Sequence, residues 1–353
     1  MTDGLIFKAG REAYRSLRAD GFAASRIGSV VGASGGAKWL VLSHLDRVIV
    51  SRLLPEFEGP VHTLGSSIGA WRFTCYGRRD PLAAVEAFER AYLEQTYSEK
   101  PTVQEITDTS RRILTGLLGE TGVEEILTHP VLRSHIMTVR ARHVTGSERP
   151  WLQGTGLAMA MTANAVSRRA LGAFFARALF SDPRGESPFA RARGFPMDIA
   201  DLSPGNLVDA VMASGAIPMV LSGVRNIEGA PRGTYRDGGI IDYHLDLPTS
   251  VDGRLTLYPH FFDWLKPGWF DKQLRWRNVD PAHFENTLLI CPSPEFIAAL
   301  PGGKVPDRKD FVTLSPEERV SAWTKVLAAC ERLAEELNDV LDGDRLPARL
   351  QPL

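Results

Sequence analysis

The sequence predicts an α/β fold formed by a single domain over residues 1–353. One observation is IGSVVGA (27–33), which has the composition of a buried strand and runs through SGGAK into an apolar-periodic helix from about Lys38 to Leu54. The other is VHTLG (61–65), a second short strand that passes through a serine turn into the helix start IGAWRFTCYG. Strands and helices that alternate in this order are typical of α/β proteins. No internal repeat or low-complexity tract forces a domain boundary.

Periodicity and helix start and stop signals predict the remaining elements. Further helical segments are predicted at 7–20, 81–128 (mostly helical), 155–180 (a buried helix) and 206–218. Strands or strand ends are predicted at 135–144, 234–242, 254–261 and 286–293, and a loop at 181–206. An amphipathic helix over about 315–342 begins at a capping box of Ser315 and Glu318 and ends at Gly343. The motifs that carry chemistry fall within a core of about residues 27–293.

Composition and charge exclude several functional classes. The chain is 44% hydrophobic and 24% charged, and its 41 basic and 42 acidic residues give no surface-wide field for nucleic acid. The three cysteines lie far apart without a C-x-x-C, which argues against zinc or a redox pair and predicts reduced thiols in a cytoplasmic protein. The amino terminus carries charges where a signal peptide needs an apolar run, and three arginines interrupt the apolar stretch 155–180. Any contact with lipid is therefore expected at the surface.

A G-x-S-x-G motif, Gly65-Ser66-Ser67-Ile68-Gly69, lies at the predicted strand-to-helix turn. Such a turn raises a serine oxygen out of the backbone, and its glycines leave room for the helix and for substrate. Chance also produces this pattern in glycine-rich sequences, so its position after an apolar strand is what favours a nucleophile. A serine nucleophile needs a base, yet none of the eight histidines has a recognisable triad context. His62 and His244 are weak candidates.

A second motif, Tyr235-Arg236-Asp237-Gly238-Gly239, provides another candidate base. The simple alternative is a D-G-G hairpin turn, which is common. If Asp237 faces Ser67, burial would raise its pKa and make it a better proton acceptor. The N–H groups of Gly238 and Gly239 would oppose that rise while fixing the carboxylate. A Ser–Asp pair without histidine is therefore feasible.

The third motif is the glycine loop Gly32-Ala33-Ser34-Gly35-Gly36-Ala37-Lys38. Small residues after a buried strand expose N–H groups at a helix start, where they can hold a phosphate or an oxyanion equally well. The spacing fits neither a P-loop nor a dinucleotide fingerprint, and no magnesium-binding pattern accompanies it. A phosphate-ester or nucleotide enzyme is therefore the weakest of the alternatives.

Together, and in this order, the three motifs resemble those of the patatin-like phospholipases. That family carries G-G-G-x-[RK]-G, then G-x-S-x-G, then D-G-[GA]; the counterparts in this chain are SGGAKW (34–39), Gly65–Gly69 and Asp237–Gly239, with ASGAIP (213–218) before the last. The resemblance implies a three-layer α/β/α sandwich with Ser67 as nucleophile and Asp237 as base. It also implies an oxyanion hole formed by the Gly35, Gly36 and Ala37 amides. Lys38 stands where the family has Arg or Lys, and would support the loop or a substrate phosphate.

Two departures from the family pattern concern the substrate. Ser34 replaces the first glycine, and Trp39 replaces the last, which would put a large ring beside the loop to narrow the site or contact an acyl chain. Because the D-G-G runs into IIDYHLDLP rather than a shorter family segment, Tyr243 and His244 are further candidates to line the pocket.

The resemblance implies a serine acyl-ester hydrolase that removes an acyl chain from a lipid or lysolipid, without metal or organic cofactor. Acyl transfer from the same acyl-enzyme and a catalytically silent lipid-binding module remain alternatives. The aromatic segment 258–276, which contains seven aromatic residues, is a candidate membrane contact or a lid over an acyl site. The basic face of residues 8–18 is a candidate contact for anionic lipid. For each, ordinary packing or a solvated helix face is the simpler interpretation.

Overall fold

The computed structural model describes residues 3–353, which form a mixed central sheet with flanking helices. The sheet has eleven strands in the order β11-β1-β10-β9-β2-β3-β4-β5-β6, with β8 joined to β4 and β7 joined to β8. The strands are β1 Leu5–Ala9, β2 Ile27–Gly32, β3 Val61–Ser66, β4 Leu132–Ala141, β5 Phe175–Ser181, β6 Met197–Asp201, β7 Val224–Arg225, β8 Thr234–Asp237, β9 Leu255–Pro259, β10 Thr287–Pro292 and β11 Leu350–Pro352. The central strands β10, β9, β2, β3 and β4 run parallel.

Helices cover the sheet and give the predicted three-layer α/β/α architecture. They are α1 Arg11–Asp20, α2 Ser43–Val48, α3 Ile68–Tyr76, α4 Pro81–Glu94, α5 Val103–Leu118, α6 Gly122–Thr128, α7 Pro150–Val166, α8 Leu207–Ser214, α9 Pro294–Ala299, α10 Asp310–Thr313, α11 Pro316–Asp342 and α12 Leu346–Arg349. Strands β2, β9 and β10 are buried along their whole length, as expected for parallel strands covered on both faces.

Several local predictions are confirmed. The strands predicted at 27–33 and 61–65 are β2 and β3, and each leads through a small-residue turn into a helical segment. The side chains of Ser315 and Glu318 form the reciprocal capping box at the start of α11. Strands β1 and β11, from the two ends of the described chain, pair with each other. This pairing supports our proposal of one domain, although residues 1 and 2 of the predicted domain lie outside the described residues.

The predicted buried helix over 155–180 is wrong in its second half. Helix α7 ends at Val166, and after a short 3-10 segment the chain forms β5, which pairs antiparallel with β4. Arg177 interrupts the apolar run within β5, where it is buried and donates to both carboxylate oxygens of Asp242 at 2.7 and 2.8 Å. This partner is distant in sequence, so local periodicity could not reveal why an arginine is tolerated there.

Three other predicted boundaries also differ. Residues 7–9 belong to strand β1, which pairs with β10, and the first helix begins only at Arg11. The predicted loop 181–206 contains strand β6, which pairs with β5. The predicted helix from about Lys38 to Leu54 is a 3-10 segment at Gly36–Leu42, the short helix α2, a π segment at Ile49–Leu53 and a 3-10 turn at Leu54–Glu56.

Candidate active site

The turn between β3 and α3 holds Ser67 in a strained backbone conformation. Its φ of 55° and ψ of −124° lie outside the regions that residues with a side chain normally adopt. The Ser67 N–H donates to Ser214 Oγ at 2.8 Å, and the Ser214 hydroxyl donates to the Met137 carbonyl at 2.7 Å. Helix α8 and strand β4 therefore hold the strained residue in place.

The glycines of the turn allow backbone segments to meet. A Cβ atom on Gly69 would lie 2.0 Å from the Gly32 carbonyl oxygen, and one on Gly65 would lie 2.4 Å from the Ala70 backbone. Helix α3 can therefore start directly against β2 and β3 only because both positions lack a side chain.

Strand β4 brings Ser67 and Asp237 together. Along one edge of β4, Ser66 of β3 pairs with Met137 and Asp237 of β8 pairs with the next residue, Thr138. Because β3 is parallel and β8 antiparallel to β4, the carboxyl ends of both strands meet at this point. There, Ser67 Oγ donates to Asp237 Oδ2 at 2.7 Å.

Asp237 is buried, and its other carboxylate oxygen accepts the Gly239 N–H at 2.7 Å. Burial raises its pKa to about 6, while the bonds from Ser67 and Gly239 and the charges of Lys272 and Arg308 act in the opposite direction. Gly238 is needed beside it, since a Cβ there would lie 2.3 Å from the Met137 carbonyl oxygen. The carboxylate is therefore fixed, ionised at neutral pH and more basic than an exposed aspartate.

The glycine loop lies beside Ser67 and Asp237. Gly36, with φ of 57°, begins the 3-10 segment that follows β2. Within residues 3–353, no hydrogen-bond acceptor contacts the Gly35, Gly36 or Ala37 N–H, as expected for the first donors of a helical segment. Ser34 fixes the loop, because its hydroxyl donates to Ser66 Oγ at 2.9 Å and its N–H to the Tyr243 carbonyl at 2.9 Å.

Ser67 lies where two cavities meet. The smaller, of about 190 Å³, is called the polar cavity here because several charged side chains line it, together with the glycine loop, Asp237 and Tyr243. The larger, about 1000 Å³, is mostly apolar and runs between α5, residues 95–101 and residues 308–319. The nucleophile candidate is thus accessible from a charged side and from an apolar side.

The polar cavity contains most of the predicted site residues. Its lining includes Ser67, Asp237, Gly35, Gly36, Lys38, Gly239 and Tyr243. Lys38 forms an ion pair with Asp307 at 2.9 Å, and Asp307 lines the same cavity. Ala37 is completely buried and lies outside this lining, so its N–H is less accessible from the cavity than those of the half-buried Gly35 and Gly36.

The structure contradicts the predicted pocket positions of Trp39 and His244. Trp39 is 1% exposed and stacks on Phe88 with ring centroids 4.6 Å apart, because the 3-10 geometry of the loop turns it into the core. His244 lies behind Tyr243, is completely buried, and accepts the Lys266 N–H on Nδ1. Burial lowers its pKa well below the usual value.

Among the described residues, neither histidine considered as a base contacts Ser67. His62 lies within β3 and hydrogen-bonds His135 at 2.9 Å, and burial lowers its pKa. Sequence reasoning missed Ser214 and Arg308, and it considered Lys272 only as part of segment 258–276, not as a neighbour of the candidate dyad. Ser214 lies within ASGAIP, so that motif contained a signal for it, whereas the two cations come from segments without any motif.

The two candidate membrane contacts are mostly engaged within the fold. In segment 258–276, Tyr258 and Phe261 are buried and Trp269 lines the polar cavity, whereas Trp264 and Trp276 are exposed. The basic side chains of residues 8–18 have intramolecular partners: Lys8 bonds Asp263, Arg11 Glu285, Arg15 Glu12 and Arg18 the Pro347 carbonyl. Packing and ion pairing therefore account for most of both features.

Across residues 3–353, none of the helices combines the length and hydropathy that a membrane crossing requires. The same residues include no group of three or more His, Cys, Asp or Glu side chains arranged to hold a metal ion.

Comparison with protein families matches residues 32–244 to the family described as patatin-like phospholipase, a span that contains the glycine loop, Ser67 and Asp237. No curated protein matches the sequence. Among solved structures, VipD from Legionella pneumophila is 13% identical with a TM-score of 0.35, and the alignment covers 89% of this chain and 67% of VipD. The type III effector protein ExoU is 15% identical with a TM-score of 0.26, and the alignment covers 88% of this chain and 54% of ExoU.

Proposed function

The chain belongs to the patatin-like phospholipase family, and we propose that it is a serine-dependent hydrolase that cleaves the acyl ester of a lipid or lysolipid. Membership of the family implies lipid acyl hydrolase activity, whereas the assignment of individual residues and reaction steps is our proposal. The observation that carries it is the 2.7 Å hydrogen bond from Ser67 Oγ to the buried Asp237 carboxylate.

In the first half of the proposed reaction, Ser67 Oγ attacks the ester carbonyl while Asp237 takes its proton. The carbonyl oxygen becomes an oxyanion, which accepts hydrogen bonds from the free N–H groups of Gly35, Gly36 and Ala37. Asp237 then gives the proton to the leaving alcohol oxygen as the ester bond breaks. The products of this step are the acyl-Ser67 ester and the free alcohol.

In the second half, Asp237 removes a proton from water, and the resulting hydroxide attacks the acyl-Ser67 carbonyl. The same N–H groups stabilise the second oxyanion. When the bond to Ser67 Oγ breaks, the proton returns from Asp237 to that oxygen, which releases the fatty acid. A pKa of about 6 suits both roles, because the carboxylate is ionised at neutral pH and can still be protonated transiently.

Labelling with a fluorophosphonate ester tests the proposal. We expect the probe to form a phosphonyl adduct on Ser67, and Ser67→Ala and Asp237→Asn to abolish it. His62→Ala is the control and should retain the label, since its ring bonds His135 rather than Ser67. An unlabelled wild type, or loss of label in the histidine variant, would contradict the Ser–Asp assignment. Release of free acid distinguishes hydrolysis from transfer to an added alcohol.

A further inference from the structure

The polar cavity beside Ser67 has an excess of positive charge. Lys38, Lys272, Arg308 and Lys309 line it, against the two carboxylates of Asp237 and Asp307. Both carboxylates are already engaged: Asp307 pairs with Lys38 at 2.9 Å, and Asp237 accepts from Ser67 and Gly239. The cavity therefore retains cationic groups that form no direct ion pair with a neighbouring acid.

Lys272 is held against the wall of this cavity. It is partly buried, and its ammonium lies 3.9 Å from the centroid of the Tyr243 ring. Within residues 3–353, no carboxylate lies at ion-pair distance from Lys272 or from the exposed guanidinium of Arg308. A partly desolvated ammonium without a counterion is costly, and an anion from a ligand would offset that cost. The pKa of Lys272 is lowered to about 8, first by burial and then by Lys38 and Arg308, while the more distant charges of Asp237 and Asp307 act in the opposite direction.

The apolar cavity lies on the other side of the nucleophile. Both cavities include Gly36, Ser67, Ile217, Arg308 and Lys309 in their walls, so a single ligand can occupy both and pass Ser67. The larger cavity, about 1000 Å³ and mainly apolar, suits an acyl chain. The alcohol part of the same ester then lies in the polar cavity.

We propose that Lys272 and Arg308 form an anion subsite that binds the phosphate of a lysophospholipid while its acyl chain occupies the apolar cavity. This inference rests on the proposed function and adds selectivity: the enzyme prefers esters whose alcohol part carries a phosphate to neutral glycerides. Lys38 contributes less, because Asp307 already neutralises it.

The test compares two substrates that share one short acyl chain, lysophosphatidylglycerol and monoacylglycerol, both kept monomeric. The ratio of their kcat/KM values reports the subsite, because any general change in the dyad affects both substrates and cancels. We expect wild type to favour the phosphate-bearing ester, and Lys272→Gln or Arg308→Gln to lower the ratio roughly tenfold to hundredfold, the range for a charge-assisted hydrogen bond. Lys325→Gln, which removes an exposed lysine of α11, is the control and should leave the ratio unchanged.

A pH series adds a readout that a structural role of Lys272 would not give. Lys272 loses its proton around pH 8, so the wild-type ratio should fall between pH 7 and pH 9. The phosphodiester of lysophosphatidylglycerol does not titrate in that range. Lys272→Arg should keep the preference and remove this pH dependence, since arginine stays charged. The other groups around Lys272, namely Arg308, Asp237, Asp307, Lys38 and Tyr243, are the same in wild type and in Lys272→Arg, so a pH dependence that any of them caused would remain in the variant.

Inhibition by inorganic phosphate distinguishes a subsite that binds a lipid head group from one that binds only the free ion. Phosphate that inhibits monoacylglycerol hydrolysis through Lys272, without any preference for lysophosphatidylglycerol, would overturn the head-group assignment. A wild-type ratio near one, or a ratio unchanged in both glutamine variants, would also overturn it. If neither ester is hydrolysed and fluorophosphonate does not label Ser67, the proposed function itself fails, which is a distinct result.

Discussion

Replacing Asp237 with asparagine should inactivate the protein and stabilise its fold at neutral pH. Burial raises the Asp237 pKa from its usual 3.8 to about 6. Between these two values the folded protein holds a proton that the unfolded chain has lost, so the free energy of unfolding falls as pH rises. The rise of the Asp237 pKa from 3.8 to about 6 corresponds to a loss of about 3 kcal/mol in the free energy of unfolding, at 1.36 kcal/mol per pKa unit. This loss is small below pH 3.8 and nearly complete above pH 6, and replacing the carboxylate with asparagine removes it.

Equilibrium urea unfolding of wild type and Asp237→Asn, measured from pH 4 to pH 8, tests this linkage. Because part of the effect is already present at pH 4, the stability difference between the two proteins should shift by about 2–3 kcal/mol in favour of the variant from pH 4 to pH 8, with most of the change complete near pH 6. Ser67→Ala is the matched control: it is also expected to be inactive, yet it keeps the carboxylate. It should keep a pH dependence, displaced to higher pH because the Ser67 hydrogen bond that lowers the Asp237 pKa is lost. A difference in the free energy of unfolding between wild type and Asp237→Asn that stays constant from pH 4 to pH 8 would refute the assignment of a raised pKa to Asp237.

Three further predictions concern catalysis and packing. Because Asp237 must be ionised to accept the Ser67 proton, kcat/KM should fall about tenfold per pH unit below about pH 6, and a plateau extending to pH 4 would contradict this. Gly69→Ala puts a Cβ 2.0 Å from the Gly32 carbonyl oxygen, so urea unfolding should show a loss of roughly 1–3 kcal/mol that is absent in Gly185→Ala, where the new Cβ meets no atom within 4 Å. Ile106→Trp reduces the apolar cavity and should shift the acyl-length profile of kcat/KM towards shorter chains, by about 0.8 kcal/mol per excluded methylene; an unchanged profile would show that acyl chains do not bind there.

Sequence reasoning located those parts of the fold whose signals are local. Strands β2 (IGSVVG) and β3 (VHTLGS) are short, largely buried segments that each run into a turn of small residues, and Gly65 and Gly69 mark a turn where backbone segments meet. The failure at 155–180 has the opposite cause. Whether that run is helix or strand depends on pairing with β4 and on the Arg177–Asp242 ion pair, which joins residues far apart in the chain.

The same distinction applies to the candidate site. The motifs predicted that Ser67, Asp237 and the glycine loop belong together, because each motif carries its own turn chemistry. They did not predict the direction of the Trp39 side chain, which depends on the 3-10 geometry after Gly36. Nor did they identify Lys272 and Arg308 as neighbours of the dyad. A cation that lines a cavity has no local sequence pattern, and only the folded structure shows that it lies there without an ion-pair partner.

Two costly features lie side by side at the candidate dyad, and the polar contacts around them explain why both persist. The backbone strain at Ser67 costs of the order of 1–3 kcal/mol, and the buried carboxylate of Asp237 adds a cost of similar size. Relaxation of either would require breaking a buried hydrogen bond, from the Ser67 N–H to Ser214 or from the Gly239 N–H to Asp237. Since such bonds are expensive to leave unmade in the interior, the surrounding strands hold Ser67 and Asp237 in the geometry that the proposed acyl transfer requires before any substrate arrives.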